Sequence, residues 1–283
     1  MSAGPWPAPA KLNLFLHVTG RRADGYHELQ TLFQLIDLCD ELSIEVRADG
    51  RIERTAGPAL VPAESDLALR AAQSLKSATG SRLGASVGLN KRIPVGGGLG
   101  GGSSDAATVL LVLNQLWGCD LSLAELAGIG APLGADVPVF VQGFSAWGEG
   151  IGERLTPVEL PALWYLVIYP GVGVSTREVF QAPELTRNSP LITIRAFFDS
   201  GGRNDCEPVV AARVPAVREA LEWLGRHGAA HLTGTGSCVF AAYERAEDAE
   251  RIAAQVPRPW RGFVARALDR SPLHARLAGA RGA

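Results

Sequence analysis

The sequence predicts a fold of mixed helices and strands, α+β or α/β, divided into two domains. Segments with the two-residue period of a strand and segments with helical character occur in both halves of the 283 residues. The texture changes after Phe140, where closely spaced glycines and then prolines interrupt the chain before an apolar segment at 163–169. We therefore predict one domain over 1–152 and a second over 153–283.

In the first half, residues 11–18 alternate in the manner of a strand, which places Lys11 and Asn13 on one face. A turn is predicted at 20–25, followed by a segment at 29–38 whose mixed pattern fits either a helix or a strand. A strand at 41–47, a helix at 66–77 and a strand through 87–89 come next. A helix at 106–117 follows, and Ser122 with Glu125 forms a capping box for another.

In the second half, the dense apolar run at 163–169 predicts a strand. Helical patterns occupy 209–225 and 247–255, and strand patterns occupy 238–243 and 262–267. No internal repeat is visible in the sequence. This mixture of elements supports the same fold class as the first half.

The composition is that of an ordinary globular protein, with 47% apolar and 20% charged residues and a formal charge of −2. No long Lys/Arg cluster is present, so we expect no nucleic-acid or anionic-membrane partner. Scattered cysteines favour a reducing compartment over a disulfide framework or a zinc site; they are Cys39, Cys119, Cys206 and Cys238. Residues 1–9 lack the basic region of a secretory signal, and 163–169 is too short to span a bilayer. We expect a cytoplasmic monomer or weak homodimer.

The most distinctive segment is a glycine run, in which six of the seven residues from 96 to 102 are glycine. A backbone without Cβ atoms can bring its N–H groups close to an oxyanion, and a helix is predicted to follow directly. This combination is typical of a phosphate-binding loop. A P-loop is excluded because Ser103 and Ser104 follow the last glycine without the lysine that pattern requires.

Two other interpretations of the glycine run are weaker. Gly96, Gly98 and Gly101 satisfy the dinucleotide pattern, but almost any glycine-dense run does, and residues 85–92 are too polar for a buried parallel strand. Asp120, near the distance at which that pattern has an acidic residue, lies just ahead of the capping box. A flexible linker would contain Ser, Gln or Pro and would not lead abruptly into a helix.

Other candidates each have a plainer interpretation when taken alone. Lys11 on a polar strand face is usually just solvated, and Asp136, among apolar neighbours, must be capped, paired or catalytic, with a helix cap favoured. Tyr26 and His27 could stack on a base or fill a core. The small-residue run at 233–237 could contact a ligand or form a tight turn. Two histidines, 227 and 231, are four residues apart, but a glycine between them and the lack of a nearby carboxylate argue against a metal site.

Taken together and in order, four of these segments resemble the motifs of the GHMP kinase superfamily; they are 9–14, 94–104, 134–138 and 232–240. Residues 20–29 and 170–180 resemble the motifs of one branch of this superfamily, whose members phosphorylate a cytidine diphosphate conjugate of methylerythritol. The resemblance covers nearly the whole chain. It implies an α+β fold with a ribosomal S5 domain 2-like N-terminal domain that binds ATP and a ferredoxin-like C-terminal domain that binds the small-molecule substrate.

The resemblance also implies the roles of particular residues. Asp136 would accept the proton of the substrate hydroxyl, and Lys11 would neutralise charge near Asp136 and the γ-phosphate. Ser104 would help to place Mg²⁺. The ATP phosphates would be held by the loop residues Pro94, Val95, Gly96, Gly97, Gly98, Leu99, Gly100, Gly101, Gly102, Ser103 and Ser104.

For the bases, the resemblance implies that Tyr26 and Phe180 stack on the cytosine and that His27 hydrogen-bonds it, with Asn13 turned toward the substrate near Lys11. At the adenine end, Asp66 stands where the family often has Asn, and an ionised carboxylate accepts hydrogen bonds but cannot donate them. Lys91 would contribute to the adenine site from the strand before the loop.

Alternative functions remain at this stage. A homoserine or mevalonate kinase of the same superfamily would share the loop and the carboxylate, but it is not expected to carry the Gly25-Tyr26-His27 sequence. A nucleotide-binding protein of this fold without turnover would not need both Lys11 and Asp136. A Rossmann oxidoreductase rests on the weak glycine pattern alone.

Overall fold

A ten-stranded sheet runs through both halves of the chain in the computed structural model, which describes residues 5–57 and 62–281. Of the N-terminal segment 1–9 considered above, residues 1–4 lie outside the described residues. The main path of the sheet starts in the first half of the chain, crosses to the second half and ends there. The two halves therefore share one continuous sheet.

The first half contains six strands and four α-helices in its described part. In chain order they are β1 Trp6–Arg21, β2 His27–Arg47, β3 Ile52–Ala56, α1 Leu67–Thr79, β4 Gly84–Asn90, α2 Gly101–Leu116, α3 Leu123–Gly130, α4 Val137–Gln142, β5 Ala146–Gly150 and β6 Arg154–Pro157, with a 3-10 turn at Ala63–Ser65 before α1.

The second half contributes shorter strands and six α-helices to the described structure. In order they are β7 Trp164–Tyr169, α5 Thr176–Gln181, α6 Ile194–Ser200, α7 Glu207–Arg213, α8 Pro215–Gly225, β8 His231–Leu232, β9 Val239–Tyr243, α9 Ala246–Ala253, β10 Arg261–Leu268 and α10 Pro272–Arg281.

The sheet order is β3-β4-β2-β10-β7-β9-β8, with β1 and β5 also paired to β2 and with β6 paired to β5. All of these pairs are antiparallel except β3 with β4. The predicted α+β class is confirmed. Lys11 pairs with Leu35 across the β1–β2 ladder, so β1 brings its polar residues into the interior beside the longest strand.

The ambiguous segment 29–38 is a strand, and it joins the strand predicted at 41–47 to form the single 21-residue strand β2. β2 pairs with β1, β4, β5 and β10 along its length. Residues 30–36 are all buried, so no exposed face imposes a polar residue at every second position. Because both faces of this stretch are covered, the two-residue period is absent from its sequence.

The helix predicted over 209–225 is two helices, α7 and α8, with a break at Val214. Proline has no amide hydrogen to donate and disfavours the helical region for the residue before it. Val214 precedes Pro215 and accordingly has φ −123° and ψ 91°. The capping box at Ser122 and Glu125 is confirmed at the start of α3.

The apolar core is organised in several clusters. One large cluster packs α1 and α2 against the strands of the first half, and it includes Leu273 and Leu277 from the C-terminal helix α10. Another packs α7 and α8 against β7 and β9. Because β6 pairs with β5 and α10 packs with the first half, segments on both sides of residue 152 share one core, and a domain boundary at that residue stays a prediction.

None of the helices in the described ranges combines the length and the apolar character that crossing a bilayer requires.

Candidate active site

A cavity of about 530 Å³ lies between the glycine loop, β1 and the start of α4. This volume is within the range of small-molecule binding sites. Its lining includes many of the residues singled out from the sequence: Lys11, Asn13, Asp66, Lys91, Pro94 to Ser103, Asp136 and Phe180. Five segments that are far apart in the sequence therefore meet around one space.

The backbone of the glycine loop is suited to an anion. Its carbonyl groups are occupied, because those of 96 to 100 all accept hydrogen bonds, from neighbouring segments or, for Gly100, from the first turn of α2. In the described chain, by contrast, no amide of 98–100 donates a hydrogen bond. The first amides of α2, at 101–103, have no acceptor within the helix, as at any helix start. The loop therefore presents unbonded N–H groups at the positive end of the α2 dipole.

The glycines are also required by close packing. Gly96, Gly98 and Gly100 have φ between 71° and 76°, a conformation that residues with side chains rarely adopt. A Cβ atom on Gly98 would lie 2.2 Å from the Thr233 carbonyl oxygen, and one on Gly97 would lie 2.7 Å from Cys238 Sγ. The second small-residue loop, 233–237, thus packs directly against the glycine loop, and the Cys238 amide donates to the Gly97 carbonyl.

Lys11 and Asp136 meet in the cavity, with Lys11 Nζ 3.2 Å from Asp136 Oδ2. Lys11 is only 3% exposed, whereas the Asp136 side chain is 30% exposed. The Lys11 ammonium also donates to Asn13 Oδ1, and Asn13 Nδ2 donates to Thr31 Oγ1 at 2.8 Å. A polar chain along β1 and β2 therefore holds the ammonium group next to a carboxylate that solvent can reach.

Asp136 occupies the N-cap position of α4, yet its side chain makes no capping hydrogen bond. The helix-cap role that is favoured for this residue on its own is therefore wrong. Its carboxylate is paired with Lys11 instead. One oxygen of this carboxylate contacts the ammonium, and its partial exposure leaves the group within reach of a bound hydroxyl.

Lys91 lies in a buried cluster of charged groups at the base of the glycine loop. Its ammonium donates to Asp40 Oδ2 and, at 2.7 Å, to Asp105 Oδ2 on α2. Asp40 Oδ1 accepts from the amides of Arg92 at 2.6 Å and Ile93 at 2.8 Å. Lys91 lines the cavity, but two carboxylates hold its ammonium, so in this state it anchors the entry of the loop to α2.

The pKa values in this cluster are shifted by burial and by the neighbouring charges. Burial lowers the pKa of Lys91, but Asp105 and Asp40 offset this effect and raise it overall. Burial raises the pKa of Asp105 to about 7, with Lys91 opposing and Asp40 adding to the shift. Asp105 Oδ1 is buried without a hydrogen-bond partner in the described structure. A negative charge on the Asp105 carboxylate is therefore poorly stabilised.

Asp66 is occupied structurally. Its Oδ1 accepts from the Ala68 amide at 3.0 Å and caps α1, and its Oδ2 lies 3.1 Å from Arg54 Nη1. Asp66 lines the cavity, but both of its carboxylate oxygens already have partners. An aspartate thus fills the helix-cap position as an asparagine would.

Ser103 and Ser104 lie in the first turn of α2. Ser103 lines the cavity, whereas Ser104 is buried and does not line it. The Ser104 hydroxyl makes no hydrogen bond within the described residues. Among those residues, no cluster of three or more His, Cys, Asp or Glu side chains is arranged to hold a metal ion.

The residues predicted to bind the second base are only partly assembled. Phe180 lines the cavity and stacks on the buried His27 ring, with ring centroids 5.2 Å apart and planes at 25°. Tyr26, immediately before β2, is 60% exposed and stacks on no ring in the described chain. The structure therefore brings His27 and Phe180 together and leaves Tyr26 at the surface.

Sequence reasoning missed Arg187, which contacts His27 and the end of α5. It lies in a segment without regular periodicity, where a lone arginine is normally solvated. It also missed Thr176, whose hydroxyl lies 2.9 Å from that of Thr235 in the loop at 233–237, and both residues line the cavity. Small polar residues in loops carry no signal of their own, and only the folded chain shows that these two meet.

Comparison with known proteins identifies two family models in the chain. The family model described as GHMP kinases N terminal domain matches residues 66–144, and the one described as GHMP kinases C terminal matches residues 183–262. A protein of Halorhodospira halophila named 4-diphosphocytidyl-2-C-methyl-D-erythritol kinase is 58% identical over 278 residues, covering 97% of this chain and 96% of the relative.

Two solved structures extend the comparison. A crystal structure of 4-(cytidine 5'-diphospho)-2C-methyl-D-erythritol kinase superposes with a TM-score of 0.81 at 35% identity, covering 94% of this chain and 99% of that one. A homoserine kinase from Cytophaga hutchinsonii superposes with a TM-score of 0.69 at 17% identity, covering 95% of both chains. The second likeness concerns the fold alone.

Proposed function

This chain belongs to the GHMP kinases, and within them to the 4-diphosphocytidyl-2-C-methyl-D-erythritol kinases, and from that premise we propose that it transfers the γ-phosphoryl group of ATP to the 2-hydroxyl of 4-diphosphocytidyl-2-C-methyl-D-erythritol. The reaction belongs to the non-mevalonate (methylerythritol phosphate) route to isoprenoid precursors. The observation that carries the proposal is the Lys11–Asp136 pair, 3.2 Å apart in the cavity that the glycine loop lines.

In this proposal Asp136 is the general base. Its partly exposed carboxylate, paired with Lys11, accepts the proton of the substrate hydroxyl as the oxygen attacks phosphorus. The Lys11 ammonium is fixed by Asn13, so it neutralises charge on the transferring phosphoryl group without reorganising. Positioning and charge stabilisation account for most of the rate enhancement in phosphoryl transfer.

The glycine loop binds the ATP phosphates through its unbonded amides and the positive end of α2. Mg²⁺, which would enter with ATP, would supply positive charge against the phosphates. The residues present fit such an ion, because Mg²⁺ takes few protein ligands besides phosphate oxygens and water, and the unpartnered Ser104 hydroxyl is a free oxygen in the first turn of α2. We propose that Ser104, with the cavity-lining Ser103 and Asp136, would hold it.

At the cytosine end, Phe180 supplies a stacking face and His27 supplies a hydrogen bond. The proposal also assigns Tyr26, in the exposed turn before β2, to stack on the base, and Asn13 to contact the substrate beside Lys11. At the adenine end, Asp66 and Lys91 line the space but already have partners, so contacts there are made without breaking those pairs. We place the enzyme in the cytoplasm as a monomer or weak homodimer.

The test is an ADP-release assay of the purified protein with ATP and Mg²⁺, run in parallel on 4-diphosphocytidyl-2-C-methyl-D-erythritol, mevalonate and homoserine. We expect turnover of the cytidine compound and background rates with the other two. Turnover of mevalonate or homoserine without the cytidine compound would contradict the proposed substrate and favour another GHMP kinase. ATP binding without turnover of any of the three would favour a non-catalytic member of the fold.

A further inference from the structure

Arg187 holds the two residues that we assign to the cytosine site. Its Nε donates to His27 Nε2 at 3.1 Å. Its Nη2 donates to the Phe180 carbonyl at 3.0 Å and to the Ala182 carbonyl at 2.7 Å, and its Nη1 donates to the Leu185 carbonyl at 3.1 Å. One half-buried guanidinium therefore links the His27 ring to the end of α5, which carries Phe180.

This contact determines where the proton of His27 resides. A guanidinium group has only donors and is not deprotonated in proteins. His27 Nε2 must therefore accept, and the neutral ring carries its proton on Nδ1. Burial first, and then the positive charges of Arg187 and Arg21, lower the pKa of His27 and keep the ring neutral at pH 7.

His27 Nδ1 remains available to a ligand, because it makes no hydrogen bond within the described residues. In the tautomer that Arg187 imposes, this atom is an N–H donor. A cytosine ring presents an acceptor at N3, whereas a uracil ring presents an N–H donor at the same position. A fixed Nδ1–H donor of His27 can hydrogen-bond to N3 of cytosine. The same donor faces the N3–H group of uracil, so two hydrogens oppose each other and no hydrogen bond forms.

We propose that Arg187 fixes His27 in the Nδ1–H tautomer and thereby makes the base site selective for cytosine over uracil. Arg187 acts through His27 and is a positioning residue. The proposal rests on the proposed function, because it takes the nucleotide end of the substrate to lie against His27 and Phe180. The same guanidinium binds the Phe180 carbonyl, so it also fixes the ring that stacks on His27.

The first test needs no substrate and no Arg187 variant. Long-range ¹H–¹⁵N correlation spectra of the ¹⁵N-labelled wild-type protein at neutral pH report the tautomer of each of its five histidines. The His27 signals are assigned by their loss in His27→Gln. We expect His27 as the neutral Nδ1–H form. A predominant Nε2–H form would overturn the proposal whatever the enzyme phosphorylates.

The second test compares the cytidine diphosphate and uridine diphosphate conjugates of methylerythritol as substrates. Arg187→Met keeps the length of the stem and removes all donors, and we expect it to lower the ratio of the two kcat/KM values by about tenfold or more. We expect the KM for ATP to change little. Arg187→Lys, which retains one donor, should restore part of the ratio, and its His27 spectrum should return toward the Nδ1–H form.

Arg213→Met is the matched control, because Arg213 is an exposed arginine whose Nη2 lies 2.7 Å from Glu184 Oε1 in the same region. It should leave the ratio unchanged. A fall in thermal stability in Arg187→Met with an unchanged ratio and tautomer would reduce Arg187 to a structural role and overturn the proposal. Failure of every variant and of the wild type to use either conjugate would contradict the proposed function instead, while the tautomer measurement would stand.

Discussion

At the scale of single residues, the site depends on the buried ammonium group of Lys11, which has oxygen partners on neighbouring side chains. Lys11 lies inside β1, where an isolated ammonium would be costly to desolvate. Asp136 and Asn13 provide its oxygen partners, and the Phe33 ring centroid is 5.7 Å from Nζ. Because the carboxylate of this pair is the more exposed member, the substrate can approach Asp136 while Lys11 stays fixed.

Replacing Asp136 with Asn should lower kcat by about two to four decades, because the amide keeps the size of the side chain but cannot accept the proton. ATP affinity, measured by calorimetry, should change little. Asp248→Asn, on the exposed surface of α9, is the control and should have wild-type kinetics. Near-normal kcat in Asp136→Asn would contradict the role of this residue as the base.

Asp105 gives the stability of the protein a specific pH dependence. Burial raises its pKa in the folded state to about 7 from an ordinary value of 3.8. Between these two pH values the folded state holds a proton that the unfolded state has lost. Ionisation of this group therefore destabilises the fold as the pH rises through that window.

We expect Asp105→Asn, which cannot ionise, to gain stability relative to the wild type as the pH rises from about 4 to about 7, with a constant difference outside that range. Urea unfolding of both proteins at several pH values measures the difference, and contributions from titrating groups that do not interact with Asp105 cancel. A difference that is independent of pH would show that Asp105 is ionised throughout.

At the scale of elements, the glycines of the loop have two reasons. One is the ligand that the loop is proposed to hold, and the other is packing against neighbouring segments. Gly98 and Gly97 are bare because the loop at 233–237 and Cys238 approach their Cα atoms too closely for a side chain. The amides of 98–100 remain unbonded in the described chain because the loop's carbonyls make the contacts to the neighbouring segments. Packing and ligand binding therefore use opposite sides of the same peptide groups.

Gly98→Ala should weaken ATP binding by tenfold or more and lower the free energy of unfolding by more than about 1 kcal/mol. Its φ of 76° disfavours a side chain, and its Cβ would lie 2.2 Å from the Thr233 carbonyl oxygen. Calorimetry with an ATP analogue and urea unfolding measure the two effects. Unchanged ATP affinity in this variant would contradict the packing of the two loops as the support of the phosphate site.

Gly128→Ala is the matched control. Gly128 lies inside α3 with open space at its Cβ position. Because alanine loses less conformational freedom than glycine in a helix, this variant should be more stable by about 0.5–1 kcal/mol. Its ATP affinity should equal that of the wild type.

The sequence predicted these elements unevenly, for physical reasons. The strand that holds Lys11 and Asn13, the helix after the glycines and the capping box at Ser122 all follow from local periodicity and local hydrogen bonds. The middle of β2 could not be recognised, because a strand covered on both faces has no alternation to detect. The pairing of Asp136 with Lys11 rather than with the α4 amides, and the contact of Arg187 with His27, depend on segments that are far apart in the chain.

At the scale of the whole molecule, the elements β10 and α10 of the second half pack against the first half. β10 pairs with β2 through Ala267 and Leu268, and α10 then packs against the core of the first half. The end of the chain therefore completes the layer behind β1, which holds Lys11. We therefore expect the stability of the half that holds Lys11 and Asp136 to depend on the packing of α10.

Leu273→Ala should lower the free energy of unfolding by about 2–5 kcal/mol, because Leu273 is 1% exposed and its truncation leaves a cavity in the first cluster. Hydrogen exchange should accelerate in β1 and α2, far from Leu273 in sequence. Loss of protection confined to α10 itself would show that this helix is not an integral part of that core.

In the proposed reaction this chain phosphorylates one hydroxyl of a cytidine diphosphate conjugate and leaves its diphosphate intact. The most direct measurement is ³¹P NMR of the purified protein incubated with ATP, Mg²⁺ and 4-diphosphocytidyl-2-C-methyl-D-erythritol. We expect one new phosphomonoester signal for each ADP formed, with the diphosphate signals of the conjugate retained. Formation of inorganic phosphate in place of the monoester, or cleavage of the cytidine diphosphate bridge, would contradict it.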